Sequence, residues 1–163
     1  MLEKFLKLSY LILKFIDKLI GVFSKDFEFL LYLKEYIENK QYIVKKILDK
    51  KITFFIPNKA TKLRVRRIFT KEPGTIEWIN SFNTNEENII FWDIGSNIGL
   101  FSIYAAIRHS KIKVFSFEPS TSNLRVLTRN ISINNLQEQI IINQFPLTNK
   151  INEYLSFKES RFQ

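Results

Sequence analysis

Cysteine is missing from the 163 residues and histidine occurs once, at His109, so neither a disulfide framework nor a Cys- or His-cluster metal site can be built, and no metal is expected. A reducing, cytoplasmic setting follows, extending at most to the inner face of a membrane. Glycine and proline number four each, and neither a low-complexity linker nor an internal repeat is visible. A long uncharged run is also lacking. Lys4, Lys7, Lys14, Asp17 and Lys18 interrupt the apolar stretch at the N-terminus, which falls short of the roughly 18 uncharged residues a spanning helix needs. No continuous apolar segment leads to a small-residue cleavage site, so a signal peptide is not expected.

What is present suffices for a core: 45% of residues are hydrophobic and 15% aromatic, in the range of an ordinary globular domain. The net charge of +9 is unevenly placed, residues 1–71 holding 17 Lys/Arg against 7 Asp/Glu and residues 72–163 holding 8 against 9. Leu2, Phe5, Leu6, Ile12, Leu13, Ile16, Leu19, Ile20 and Phe23 recur at helical spacing with the lysines gathered opposite. Residues 1–24 therefore read as one amphipathic helix, either docked on protein or lying in a membrane interface with its lysines toward anionic head groups. A second helix is expected from Asp26 to about Asp49.

Residues 52–56 (ITFFI) read as a strand stopped by Pro57, and residues 62–69 (KLRVRRIF) as a second strand forming a hairpin with it. On a strand Arg66 and Arg67 cannot face one side, so the cluster Arg64, Arg66, Arg67 predicts no specific nucleic-acid binding. Residues 75–82 (TIEWINSF) resume as a short helix with Ile76, Ile79 and Trp78 inward, and polar Asn83 to Asn88 lead onward. The expected organisation is a helical region over 1–50, short strands and a helix over 51–83, and a cofactor-binding domain over 84–163.

The apolar run Ile89 to Trp92 ends in Asp93-Ile94-Gly95-Ser96-Asn97-Ile98-Gly99 and passes into a helical LFSIYAAI; it is expected to be a parallel strand buried on both faces. VFSF, residues 114–117, ends in Glu118-Pro119 and is followed by a helix over about 120–134 burying Leu124, Leu127 and Ile131. Ile140 to Ile142 begin a third strand. Consecutive strand–helix units imply an α/β, Rossmann-like doubly wound parallel sheet with its ligand at the carboxyl ends of the strands. A dinucleotide fingerprint needs G-x-G-x-x-G, whereas this chain has D-x-G-x-x-x-G. Asp93 at the mouth of that turn would repel a pyrophosphate, yet suits the ammonium and sulfonium of S-adenosylmethionine. Glu118 is placed to accept from ribose hydroxyls, a role either cofactor would give it.

The segments FWDIGSNIGLFSIYAA and VFSFEPSTSNLRVLTRNISIN, with KEPGTIEWI upstream, resemble the FkbM family of S-adenosylmethionine-dependent methyltransferases over about residues 68–149. The resemblance implies a class I methyltransferase fold and methyl transfer to a hydroxyl of a sugar, polysaccharide or secondary metabolite. Asp93, Gly95, Ser96, Asn97 and Gly99 would form the cofactor loop, and Glu118 with Pro119 the ribose-side contact; Asn123 matches a family Asn that serves as ligand contact or cap. The family's domain continues through further strands, so the expectation is a domain incomplete at its C-terminus, as a fragment, a non-catalytic relative, or a half completed by a partner chain or self-association at the open sheet edge. No catalytic base is evident: Glu72 is a candidate for the ligand site and His109 reads as helix-terminal. The competing readings are a nicotinamide or flavin oxidoreductase fragment and a non-enzymatic interaction protein.

Overall fold

The computed structural model describes residues 1–23, 28–83 and 89–147, arranged in two units, Met1–Gln41 and the chain from Tyr42 onward. In the first, α1 (Leu2–Phe23) packs against α2 (Phe29–Glu38). The N-cap of α2, Glu28, makes no side-chain cap bond; instead Asp17 of α1 accepts from Leu30 N at 3.0 Å, supplying one acceptor for the orphan donors of that helix end. The start of the expected second helix and the stretch 84–88 lie outside the described residues. That helix does not run on to Asp49. Residues Tyr42–Ile47 form strand β1, antiparallel to β2 (Lys50–Phe55) with Tyr42 opposite Phe55 and Ile47 opposite Lys50, because Tyr42, Ile43 and Val44 favour a pleated surface over a helix.

The expected strand over 62–69 is a helix, α3 (Lys59–Arg66). Asn58 and Thr61 form a reciprocal capping box, with Asn58 Oδ1 accepting from Thr61 N at 2.9 Å and Thr61 Oγ1 accepting from Asn58 N at 3.3 Å. Thr61, Val65 and Ile68 are buried at spacings of four and three, a helical face. The short helix expected near Trp78 is α4 (Pro73–Asn80), with proline in the first turn, where its missing N–H costs nothing. Ile79 is buried, but Trp78 is 55% exposed and meets Phe82 and Phe91 edge-on at 5.0 and 5.7 Å.

Strands β3 (Ile90–Ile94), β4 (Lys113–Phe117) and β5 (Ile140–Asn143) form a parallel sheet in the order β3-β4-β5, connected by α5 (Leu100–Arg108) and α6 (Thr121–Ile133). This is the α/β, Rossmann-like core that the sequence implied, with β3 at a sheet edge among the described residues. Among the described residues, helix cover reaches one face. Phe91, Val114 and Ile140 are buried, whereas Ile90, Trp92 and Ile94 on the opposite face are 63, 57 and 63% exposed; the strand expected to be buried on both sides is buried on one.

Two asparagines fasten the hairpin to this core. Asn130 Oδ1 accepts from Phe55 N at 2.8 Å while its Nδ2 donates to Ile98 O at 2.9 Å. One turn later Asn134 accepts from Thr53 N and donates to Thr53 O. Side chains of α6 and of its C-cap, Asn134, thus bond the edge of β2 that β1 leaves open, and Asn130 also holds the loop before α5. Replacing Asn130 by Leu strands a buried donor and a buried acceptor; at roughly 1–3 kcal/mol per orphaned group, we expect about 2–5 kcal/mol of lost stability by urea denaturation. The more exposed Asn134→Ala should cost clearly less, and equal losses would show that the bridge to Ile98 contributes nothing.

Candidate functional site

At the carboxyl end of β3 the chain turns through three left-handed residues, Gly95 (φ 77°), Asn97 (φ 55°) and Gly99 (φ 83°). Gly95 N and Ser96 N both donate to Phe117 O, at 2.9 and 3.0 Å, which ties the loop to the end of β4. At Gly99 space as well as dihedral requires glycine, because an added Cβ would stand 2.5 Å from Leu127 Cδ1.

Asp93 closes β3 and is 8% exposed. Its Oδ2 accepts from Ser102 N at 3.0 Å and from Ser102 Oγ, so the carboxylate caps the first turn of α5, a task its N-cap Gly99 cannot perform. Ser102 Oγ in turn lies 2.6 Å from Ser116 Oγ of β4; with the Ser102 proton given to Asp93, Ser116 is the donor. Oδ1 of Asp93 makes no hydrogen bond among the described residues, although Asp93 lines a cavity. Burial pushes the Asp93 carboxyl above the ordinary carboxylate range; the Ser102 bonds oppose that push, and Glu118 and Glu72 add to it.

Glu118, at the end of β4 and 5% exposed, is bonded to the loop and not only aimed at it. Oε2 accepts from Asn97 N at 2.8 Å and Oε1 from Ser120 N at 2.9 Å. The carboxylate therefore fixes the left-handed Asn97 and the start of α6, keeping one further lone-pair direction on each oxygen. Ser120 is the N-cap of α6, its Oγ accepting from Asn123 N, so Asn123 takes part in a cap.

A cavity of about 420 Å³ lies between α3, the following turn, α4 and the β3 loop, within the size range of small-molecule sites. Of the residues singled out from the sequence, Asp93, Gly95, Ser96, Asn97 and Glu72 line it. Gly99 sits behind the loop against Leu127, Glu118 reaches the cavity only through Asn97, and Pro119 is half-buried in the turn after β4. His109 ends α5, buried, with Nε2 donating to Ile79 O at 2.8 Å and its ring stacked on Phe82; it is a brace between α5 and α4.

The sequence reading missed the cationic wall. On helix α3 and the turn after it Arg64, Arg67 and Lys71 follow one another at spacings of three and four and all line the cavity, a juxtaposition that the strand assignment forbade and that the capping box before them would have allowed. Lys71 pairs with Glu72 at 3.1 Å. Among the described residues, buried side-chain atoms without a partner include Arg64 NH1, Ser96 Oγ and Asn97 Oδ1, on cavity-lining residues, besides His109 Nδ1 and Asn143 Nδ2 elsewhere. No group of acidic or histidine side chains suited to a metal occurs among the described residues.

No family model matches the chain. A curated methyltransferase of Sordaria araneosa, sdnD, is 43% identical over 42 residues, which is 26% of this chain and 16% of that protein. Among solved structures, a SAM-dependent methyltransferase from Agrobacterium tumefaciens aligns over 64% of this chain and 32% of its own, with 12% identity and a TM-score of 0.47. TYW2 from M. jannaschii, solved with AdoMet, aligns over 63% and 42%, with 18% identity and a TM-score of 0.43. The chain thus spans less than half the length of each of these proteins.

Two outcomes follow from this geometry. The raised Asp93 carboxyl means that folding opposes its ionisation, so its contribution to stability is most favourable at pH below the unfolded carboxylate value and declines as pH rises toward the folded one. Asp93→Asn should match or exceed the parent in stability at neutral pH, and its relative advantage should shrink toward pH 4; a large loss at pH 7 would contradict this. Gly95→Ala and Gly99→Ala both incur the left-handed penalty of about 1–2 kcal/mol, and Gly99→Ala, which must also displace Leu127, should lower the urea midpoint further.

Proposed function

We propose that the chain carries the cofactor-binding part of an S-adenosylmethionine-dependent methyltransferase of FkbM type, acting on a hydroxyl of a sugar, polysaccharide or secondary metabolite. The observation that carries the reading is the half-used carboxylate of Asp93: one oxygen caps α5 and the other is left for a ligand cation at the lip of a cavity. A dinucleotide reading is disfavoured by the same feature, since a pyrophosphate would meet a buried carboxylate there and would find no G-x-G-x-x-G backbone to approach. The identity shared with the Sordaria araneosa methyltransferase supports the reading.

The residues present fit the proposed cofactor. Asp93 Oδ1 would receive its ammonium, Ser96 and Asn97 of the cavity wall carry side-chain oxygens without a partner, and Glu118, which does not line the cavity, acts through its grip on Asn97, which shapes the loop. When bound, the cofactor supplies a sulfonium-activated methyl group. The protein's part is positional: holding the acceptor oxygen close to that methyl, in line with the breaking bond, accounts for most of the acceleration available. Glu72, the other carboxylate in the cavity wall and ion-paired to Lys71, is our candidate for taking the proton of an acceptor hydroxyl.

Isothermal titration of the full chain with S-adenosylhomocysteine tests this. Binding is expected, weakened roughly 10- to 100-fold by Asp93→Asn, the scale of one hydrogen-bonded charge pair, and unchanged within about twofold by Glu72→Gln. Tight NADH binding with no response to S-adenosylhomocysteine would replace the proposal with the oxidoreductase reading.

A further inference from the structure

Helix α1 is 22 residues long and buries none of them. Along one side Phe5, Leu8, Ile12, Phe15 and Leu19 stand 64, 58, 52, 63 and 48% exposed, at alternating spacings of three and four that place them in a single stripe. Leu13, Ile16 and Ile20, which are half-buried, lie on the adjoining flank. An uncovered apolar stripe of this length does not arise on a surface helix whose only surroundings are water.

The charges beside the stripe are of one effective sign. Glu3 is paired with Lys7 at 3.0 Å, and Asp17 is committed to Leu30 N. Lys4, Lys14 and Lys18 have no acidic partner among the described residues; Lys4 and Lys18 border the stripe, and Lys14 lies one turn from Lys18 on the polar side. A second copy of the helix fits this arrangement poorly. Were the stripe a coiled-coil seam, Lys4 and Lys18 would occupy one flanking register and Ser9, Ile16 and Phe23 the other, so a parallel pair offers the lysines no acid and an antiparallel pair sets lysine against lysine. A spanning role is excluded as well, because no helix among the described residues is long and apolar enough to cross a membrane.

We propose that α1 lies in the plane of an anionic lipid surface, with Phe5, Leu8, Ile12, Phe15 and Leu19 in the acyl boundary and Lys4, Lys14 and Lys18 reaching the phosphate layer. Long lysine stems permit this, since their methylenes cover apolar surface while the ammonium stays at head-group level. The helix then acts as a tether that confines the chain to a membrane without inserting through it.

Co-sedimentation of the full chain with vesicles of mixed phosphatidylcholine and phosphatidylglycerol, and with vesicles of phosphatidylcholine alone, decides the matter. Binding to the mixed vesicles should exceed binding to the neutral ones by at least about tenfold and fall as salt is raised. Two variants probe the two halves of the face, each checked for retained helicity by circular dichroism. Lys4→Gln/Lys14→Gln/Lys18→Gln, which leaves the apolar stripe intact, should weaken binding by roughly 10- to 100-fold; Ile12→Ser/Phe15→Ser should abolish it. Absence of binding by the folded parent would overturn the proposal, and so would equal binding to neutral and anionic vesicles. Concentration-dependent self-association in sedimentation velocity, lost in the Ile12/Phe15 variant and unaccompanied by vesicle binding, would give the stripe to a second copy of the chain instead.

Discussion

The amide of Asn130 is the point at which the second unit is joined. It is fully buried, and its two ends reach backbone groups that no other element among the described residues satisfies: Phe55 N on the free edge of β2 and Ile98 O in the loop between β3 and α5. A buried backbone group left unpaired costs about as much as the hydrogen bond it lacks, so the hairpin cannot leave α6, nor the loop change course, without exposing one of them. The residues joined are 75 positions apart in the chain. The hairpin is local in its own pairing and non-local in its anchorage, and loop-closure entropy is incurred before that anchorage is formed.

The loop after β3 inherits its shape from the same economy of acceptors. Asp93, Glu118 and Ser120 each accept from a backbone N–H of the loop or of a helix start. The carboxylates that look like ligand contacts are therefore structural first, and a ligand in the proposed site would find only the lone pairs that these bonds leave over. Ionisation of Asp93 is opposed by burial, while its capping bonds from Ser102 favour the charged form. A carboxylate balanced in this way gains from a cation arriving in the cavity, which relieves the desolvation that folding imposed.

Where the sequence was legible, the signal was local. The runs ending in Asp93 and Glu118, the helices after them and the third strand at Ile140 follow from apolar runs, glycines and caps within a few positions of one another. Residues 62–69 misled because alternating cations and aliphatics satisfy a two-residue period as well as a helical one; Asn58 and Thr61, just outside that window, settle it by their capping box. Residues 42–47 misled because lysines continue through them from the helix before, although Tyr42, Ile43 and Val44 favour a strand. The partial burial of β3 was not legible at all. It depends on which elements cover the sheet, and an apolar run reads alike whether one face is covered or two. The cationic cavity wall was lost with the secondary structure of α3, since Arg64 and Arg67 share a face only on a helix.

The half-covered sheet also decides where the chain's ultraviolet emission comes from. Tryptophan occurs twice in the sequence, as Trp78 and Trp92, and both rings belong to the cavity wall, Trp78 edge-on to Phe91 and Trp92 tilted against Phe117 at 5.4 Å. Because each is more than half exposed, a molecule entering the cavity displaces water from an indole. Helices α1 and α2 contain tyrosines (Tyr10, Tyr32, Tyr36) but no tryptophan, so emission excited at the red edge of the indole band, beyond tyrosine absorption, is an optical record of this cavity wall, with no label needed.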